Sequence, residues 1–297
     1  MAKKHGLKAI EKDMQAILAQ MSPADLLELK NSMGQLVAKL DAPVSQQEEK
    51  LDEAQQLMFD AMESKKKSQR IKLANKALDL SPLCADAYLM LAHDLAETDD
   101  EHLDLLLSAA SAGEGAMELR GYGNRAGEYW GIIETRPYMR ALHDLGLAFF
   151  RRNEMQEAKE VFQRMLKLNP NDNQGVRYCL LEILVQLGDV KSGLKLHKKY
   201  KNEHSAFWSF GGALLAFMEN GDGPDANLKL VKAQEINAHV TAYLSGQKKL
   251  PKQLPGFYSP GQDNEAQSYL EDAMTSWQSV PGALQWLKAK VLGKPLL

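Results

Sequence analysis

Apolar residues along this chain recur at helical spacing, in paired stripes separated by turn residues. The clearest pair lies at 139–170, where Leu142, Leu145, Gly146 and Phe149 mark one helix and Ala158 and Phe162 a second, closed by Pro170. Apolar positions at i, i+3, i+4 and i+7 predict amphipathic helices, and two in close succession predict a helical hairpin. Similar pairs open near 51 (Leu57, Ala61, Ala74, Ala77, Pro82), near 85 (Tyr88, Leu91, Ala92, Leu95), near 173 (Cys179, Leu180, Ile183, Gly188, Leu196) and near 207 (Phe210, Ala213, Leu214, Phe217, Ala226, Leu230, Ala233).

This period of about 34 residues resembles the tetratricopeptide repeat (TPR), whose hairpins stack because none buries its apolar face alone. The resemblance covers about 51–240 and is best at 139–170. It implies an all-α, TPR-like right-handed solenoid of helical hairpins over 51–297, with residues 1–45 as an N-terminal helical cap. In such a hairpin Gly146, Ala158 and Met165 stand where helices approach closely, while Leu142, Leu145, Phe149 and Phe162 fill the space between them. Truncation of Phe162 to Ala should then cost roughly 3–5 kcal/mol.

The register breaks twice. The second hairpin, with its second helix over 103–112 ending at Gly113, should be followed by a unit at 119. The best match opens at 139, leaving about 20 inserted residues near 115–135. A final unit begins near Thr241 and is interrupted near 250–261 by Pro251, Pro255 and Pro260, which forbid a continuous helix. Helix resumes at Glu265 with Ala266, Leu270, Ala273 and Trp277; Pro281 opens a last short helix. Residues 1–45 predict two further helices, through Ile10, Met14, Ile17 and Met21 and then from Ser22-Pro23 through Leu26, Met33 and Leu40. They serve either as a cap or as a dimerising hairpin.

A TPR solenoid presents fixed positions of its inner helices to a concave groove. The register assigns Arg140, His143, Asp144 and Leu147 to that lining in the 139 unit and Gln174, Arg177, Tyr178 and Leu181 in the 173 unit. Asp86, Leu89, Met90 and His93 precede them, and Trp208, Gly211, Gly212 and Leu215 follow. Arg140 and Arg177 are suited to fork onto a carboxylate or phosphate, unless each pairs within the scaffold with an acid such as Asp144 or Glu182. The Lys/Asn clamp with which some TPR domains grip a chaperone's terminal carboxylate is not reproduced. The inserted segment is the second candidate. Arg120, Tyr122, Arg125, Tyr129, Trp130, Glu134 and Arg136 combine charge and aromatic area as interface hot spots do, or else the segment packs down with Trp130 buried.

Composition narrows the field. The 297 residues carry a net charge of −3, which gives no reason to expect a nucleic-acid partner. Two cysteines make neither a disulfide framework nor a metal motif, and suit a reducing cytoplasm. No window reaches 18 uninterrupted apolar residues, so membrane insertion is not expected. GYGNRAG misses the G-x-G-x-x-G spacing and follows no strand, and no phosphate loop, zinc-protease or nucleophile-elbow motif occurs. His93 and His102, flanking an acidic stretch, predict a solvated turn. No cofactor is called for, and the chain reads as a non-enzyme.

Residues 237–287 bear a more specific resemblance. NAHVTAYLSGQKKLP, DNEAQSYL, Trp277 and PGALQWL are similar to the C-terminal repeat region of the suppressor-of-tumorigenicity-7 family, and the likeness extends back through ETRPYMRAL and LNPNDNQGVRY. That resemblance implies a TPR-like protein without catalytic residues. Animal members carry membrane segments; none is visible here. The expected function is a cytoplasmic interaction scaffold that binds a protein or peptide segment in its concave groove. The alternative is a dimeric regulatory or adaptor subunit that uses residues 1–45, possible homodimerisation being its signature.

Overall fold

A computed structural model of the chain describes residues 46–293, and among them thirteen helices and no strand. The chain divides at 49/50, and its larger unit runs from Lys50 onward. The predicted N-terminal hairpin lies outside the described residues. Ten of the helices form five successive hairpins: α1 (Gln46–Glu63) with α2 (Lys67–Leu80), α3 (Ala85–Asp94) with α4 (Asp99–Leu119), α5 (Arg136–Arg151) with α6 (Met155–Leu168), α7 (Val176–Gln186) with α8 (Val190–Lys199), and α9 (Ala206–Asn220) with α10 (Pro224–Ile236). Then come α11 (His239–Leu244), α12 (Asp263–Ser279) and α13 (Ala283–Leu292). None is long and apolar enough to cross a membrane.

Local chemistry sets the helix starts. Thr98 caps α4 by accepting from the Glu101 N–H at 3.2 Å, and Glu101 reaches back to accept from the Glu97 N–H at 2.9 Å. Asp189 and Ser205 cap α8 and α9, accepting from the Ser192 and Trp208 N–H groups. Proline stands in the first turn of α5 and of α10, where no amide proton is needed.

Close packing explains the small residues. A Cβ on Gly146 would stand 2.5 Å from Cε1 of the fully buried Phe162, so α5 and α6 pack ring against bare backbone. Gly113 does the same for Tyr138, whose Cδ2 would lie 2.6 Å from an added Cβ. Gly113 therefore does not end its helix, as the sequence suggests; α4 runs on to Leu119 because α5 crosses it at that glycine.

Residues 121–135 form three 3-10 turns between α4 and α5. Their anchor is Tyr129, not Trp130. Tyr129 is buried and donates its hydroxyl to the Tyr122 carbonyl at 3.2 Å, and buried Thr135 donates to the carbonyls of Tyr129 and Ile132. The proline-containing stretch before α12 is pinned by the buried Glu265 carboxylate, which accepts from the Gly261 and Ala206 amides and from Asn237 Nδ2.

Helix α12 packs across α7 and α9. Gln186 donates to Ser276 at 3.2 Å, and Tyr269 meets Phe207 and Phe210 with ring centres 5.5 and 5.9 Å apart. On α13, Trp286 stacks on Phe217 and Trp277 and donates to Asn227 at 2.9 Å. All of these groups are buried or half-buried, so α12 is part of the core and not a loosely laid cover.

Candidate functional site

The inner helices α1, α3 and α5 carry a continuous polar strip. Asp86 on α3, only 1% exposed, receives both arms of the Arg140 guanidinium at 3.0 and 2.5 Å and the amide of Gln55 at 2.7 Å. Further along, Asp144 on α5 pairs with His93 at 2.9 Å and with His143 at 3.2 Å. Burial works against the Asp144 carboxylate, but the two imidazoles outweigh it and hold the carboxyl well below its ordinary range. The same bond raises His93 above an ordinary histidine. Arg140 thus pairs with Asp86 and not with Asp144, because the groove-lining residues of adjacent inner helices face each other. His102 also departs from a solvated turn: its Nδ1 lies 2.9 Å from the Ala92 carbonyl and its ring 5.6 Å from that of His93. Among the described residues no group of three or more His, Cys, Asp or Glu gathers as a metal site.

Arg177 is committed elsewhere. Asp172 caps α7 through the Val176 and Arg177 amides and takes the Arg177 guanidinium at 2.9 Å; Glu203 takes its other arm at 2.6 Å. The guanidinium also lies 4.4 Å over the Tyr178 ring. These partners replace the Glu182 pairing that the sequence suggests, and they make Arg177 a lock between hairpins, largely removed from solvent. Tyr178 is half-buried between Arg177 and Phe207.

Trp208 is a correction. It is 1% exposed, stacked on His197 at 5.1 Å, and offers no face to a groove. Its companions Gly211, Gly212 and Leu215 are buried too, facing Leu181, His197 and Gly193 of the preceding hairpin. The register assigns this side of α9 to the groove, but it packs backward, and the opposite side meets α12.

The inserted segment contributes differently. Arg125 is exposed and pairs with Glu128 at 2.6 Å, away from the other candidates. Arg136 places its guanidinium 5.1 Å above the half-buried Trp130 ring and donates to the Trp130 carbonyl at 3.3 and 3.2 Å. It has no carboxylate within ion-pair distance among the described residues. Arg136 and Arg140 come together at a hollow of about 390 Å³ between α1, α4, α5 and the 3-10 segment. Its floor is Leu51, Ala116 and Met117, its rim Arg120, Arg136 and Arg140 with Asp52 and Glu134. Phe59 and Ile133, 45% and 66% exposed, stand at its edge. Arg120 pairs with Asp52. Phe59 and Ile133 are absent from the sequence-based candidates, whereas Arg120, Glu134 and Arg136 are among them. Phe59 was findable as an apolar residue off the buried stripe of α1; nothing local places Ile133 at the site.

The family model for the tetratricopeptide repeat matches residues 139–172, which span most of α5, all of α6 and the turn to Asp172. Among curated proteins, the chain is 25% identical over 262 residues to "Protein ST7 homolog" of Drosophila melanogaster, covering 79% of this chain and 48% of that protein. It is 27% identical over 233 residues to "Suppressor of tumorigenicity 7 protein" of Mus musculus and of Rattus norvegicus, covering 71% of this chain and 40% of each. The chain carries a tetratricopeptide repeat and resembles the suppressor-of-tumorigenicity-7 proteins. It spans less than half the length of these relatives. The repeat matched is the hairpin in which Gly146 receives Phe162, so the matched residues are those that hold helices together, and the arginine-rimmed hollow lies at its N-terminal edge.

Proposed function

We propose that this chain is a protein-interaction scaffold that holds a segment of a partner against its inner face, at the hollow between α1, α4 and α5. The observation that carries the reading is Arg136: a guanidinium with no carboxylate partner among the described residues, presented on a Trp130 ring beside the exposed apolar residues Phe59 and Ile133. An unpaired cation beside apolar area is the composition of an interface anchor. Arg140 is answered by Asp86 and Arg120 by Asp52, which leaves Arg136 to meet an acidic side chain, with an apolar one against Phe59 and Ile133. The tetratricopeptide repeat supports a binding role, and the free thiols of Cys84 and Cys179 suit a reducing cytoplasm.

A photo-crosslinking amino acid at Ile133 tests this in cells. The expected result is one dominant adduct, with an acidic residue near the linked position, that is lost in Arg136→Ala while the protein melts unchanged. The control is the same probe at Leu228, an exposed residue of α10. Equal adduct patterns from the two positions would overturn the reading.

A further inference from the structure

The half of the inner face that α12 covers is not solid. Helices α5, α7, α9 and α12 leave between them a cavity of about 240 Å³. Pockets that take a whole small-molecule ligand run from about 300 to 1,000 Å³, so this one suits a single side chain or a small ion. Its walls are Leu147 and Phe150 of α5, Tyr178 of α7 and Phe207 of α9. Two carboxylates face it. Glu182 of α7, 7% exposed, lies at depth, and its Oε2 has no hydrogen-bond partner among the described residues. Asp272 of α12, exposed to solvent, stands at the rim.

Ser276 hydrogen-bonds the Glu182 carboxyl, but a buried carboxylate oxygen left without a partner is costly, and it is relieved by a cation. The one basic residue on the lining, Arg151, is exposed and offsets neither carboxyl. We propose that this cavity binds an alkylammonium group, with the ammonium head against Glu182 and Asp272 and the aliphatic stem along Phe150, Tyr178 and Phe207. Aromatic walls over a carboxylate floor suit a compact cation on a flexible apolar stem, which is a lysine side chain or a free small amine. The site is separate from the Arg136 hollow and does not rest on it.

The cavity's own titration gives the test its sharpest arm. Burial pushes the Glu182 carboxyl up to about 7, with Ser276 lowering it and Asp272 raising it. The other groups facing it titrate elsewhere. Tyr178 and Cys179 of α7 are pushed up to about 12 by burial, Tyr269 of α12 lies well above 10, and α9 contributes only Phe207. Asp272 is raised by partial burial and by Glu271. A cation binds the ionised form, so affinity should increase about tenfold from pH 6 to pH 8.

The experiment titrates the full chain with n-butylammonium chloride, followed by backbone amide NMR, with n-butanol as the neutral control. Saturable shifts of α5, α7 and α12 amides are expected at pH 8. Binding should weaken at least about tenfold in n-butanol and in Glu182→Gln, and Glu182→Gln should lose the pH dependence. Asp272→Asn, at the exposed rim, serves where Glu182→Gln alters folding and should also weaken binding. N-acetyl-lysine amide separates the sources: binding of both probes assigns a partner's lysine, and binding of butylammonium alone assigns a free amine. Equal binding of butanol and butylammonium, full affinity in both variants, or no saturable shift would overturn the proposal.

Discussion

Substituting Gly146 by alanine tests the packing on which the matched repeat depends. The new Cβ would lie 2.5, 2.8 and 3.0 Å from Cε1, Cζ and Cδ1 of Phe162. Carbon atoms pack best at about 3.5–4.0 Å, so the methyl group intrudes by about 1 Å on three atoms of one ring. That ring is wholly buried between α5 and α6 and cannot swing to solvent. Overpacking of this kind costs about 1–3 kcal/mol, and three clashes put it near the top of that range. Alanine recovers about 1 kcal/mol of helix propensity, leaving a net loss of about 2 kcal/mol. Phe162→Leu alone leaves a cavity and should cost roughly 1–2 kcal/mol, less than full truncation. In the double variant the methyl group fills space that the ring vacated, so the two losses should not add. Urea unfolding of the four proteins should give a coupling of at least about 1 kcal/mol in favour of the double variant. Additivity to within about 0.5 kcal/mol, or a more stable Gly146→Ala, would refute the ring-on-backbone contact.

Three further predictions concern the inner face. Arg140→Ala leaves a buried carboxylate at Asp86 and should cost about 3 kcal/mol, whereas Asp86→Ala leaves a half-exposed cation that water can reach and should cost about 1–2 kcal/mol; urea midpoints in the reverse order would contradict the pairing. His93 is raised above 6.5 by Asp144, so its contribution to stability is present below 6.5 and lost as pH rises through its folded midpoint, while that of Asp144 is present above 3.8 and lost as pH falls through its depressed one. An NMR titration should therefore find the His93 midpoint above 6.5 and lower it in Asp144→Asn. Glu182 shows the opposite linkage for a carboxylate: with its midpoint raised from 4.5 to about 7, the folded state binds the extra proton, and stability should fall by about 3 kcal/mol as pH rises between those values. Glu182→Gln should flatten that slope in unfolding curves measured from pH 4.5 to 8.

The hairpins were legible in the sequence because their packing is local and periodic. Leu142, Gly146 and Phe162 repeat a spacing that only stacked helices explain, and those residues meet as the spacing requires. The groove residues were legible only where successive inner helices face each other, as Asp86 and Arg140 do. On α9 the same register failed, because a repeat pattern fixes which residues lie on a helix and not which side a later element will cover. Nothing near Trp208 announces that α12, some 60 residues on, packs on the opposite side of its helix. Gly113 misled for a related reason: a glycine that ends a helix and one that admits a crossing ring look alike until Tyr138 is placed against it. Glu182 did leave a signal, as a lone carboxylate in the apolar run from Cys179 to Leu187, but its meaning needed the three other helices that close the cavity around it.

Helix α12 changes what kind of recognition this repeat array supports. An open groove can take an extended segment whose backbone runs along several inner helices. Here the inner sides of α7 and α9 are met by Tyr269 and Ser276, groups held in a core with Trp277 and Trp286, so displacing α12 would expose several large aromatic side chains. Full burial of each is worth about 1.5–3 kcal/mol, more in sum than a short peptide can replace by contacts along the same surface. On the proposed reading, the covered half admits a side chain through the Glu182 cavity but not a backbone, and the backbone of a bound segment stays at the hollow between α1, α4 and α5. Where the cavity takes a partner's lysine and not a free amine, the partner proposed for the Arg136 hollow is met there by an acidic and apolar pair and, separately, by one basic side chain. Arg136→Ala and Glu182→Gln should weaken its binding through two independent contacts whose effects add.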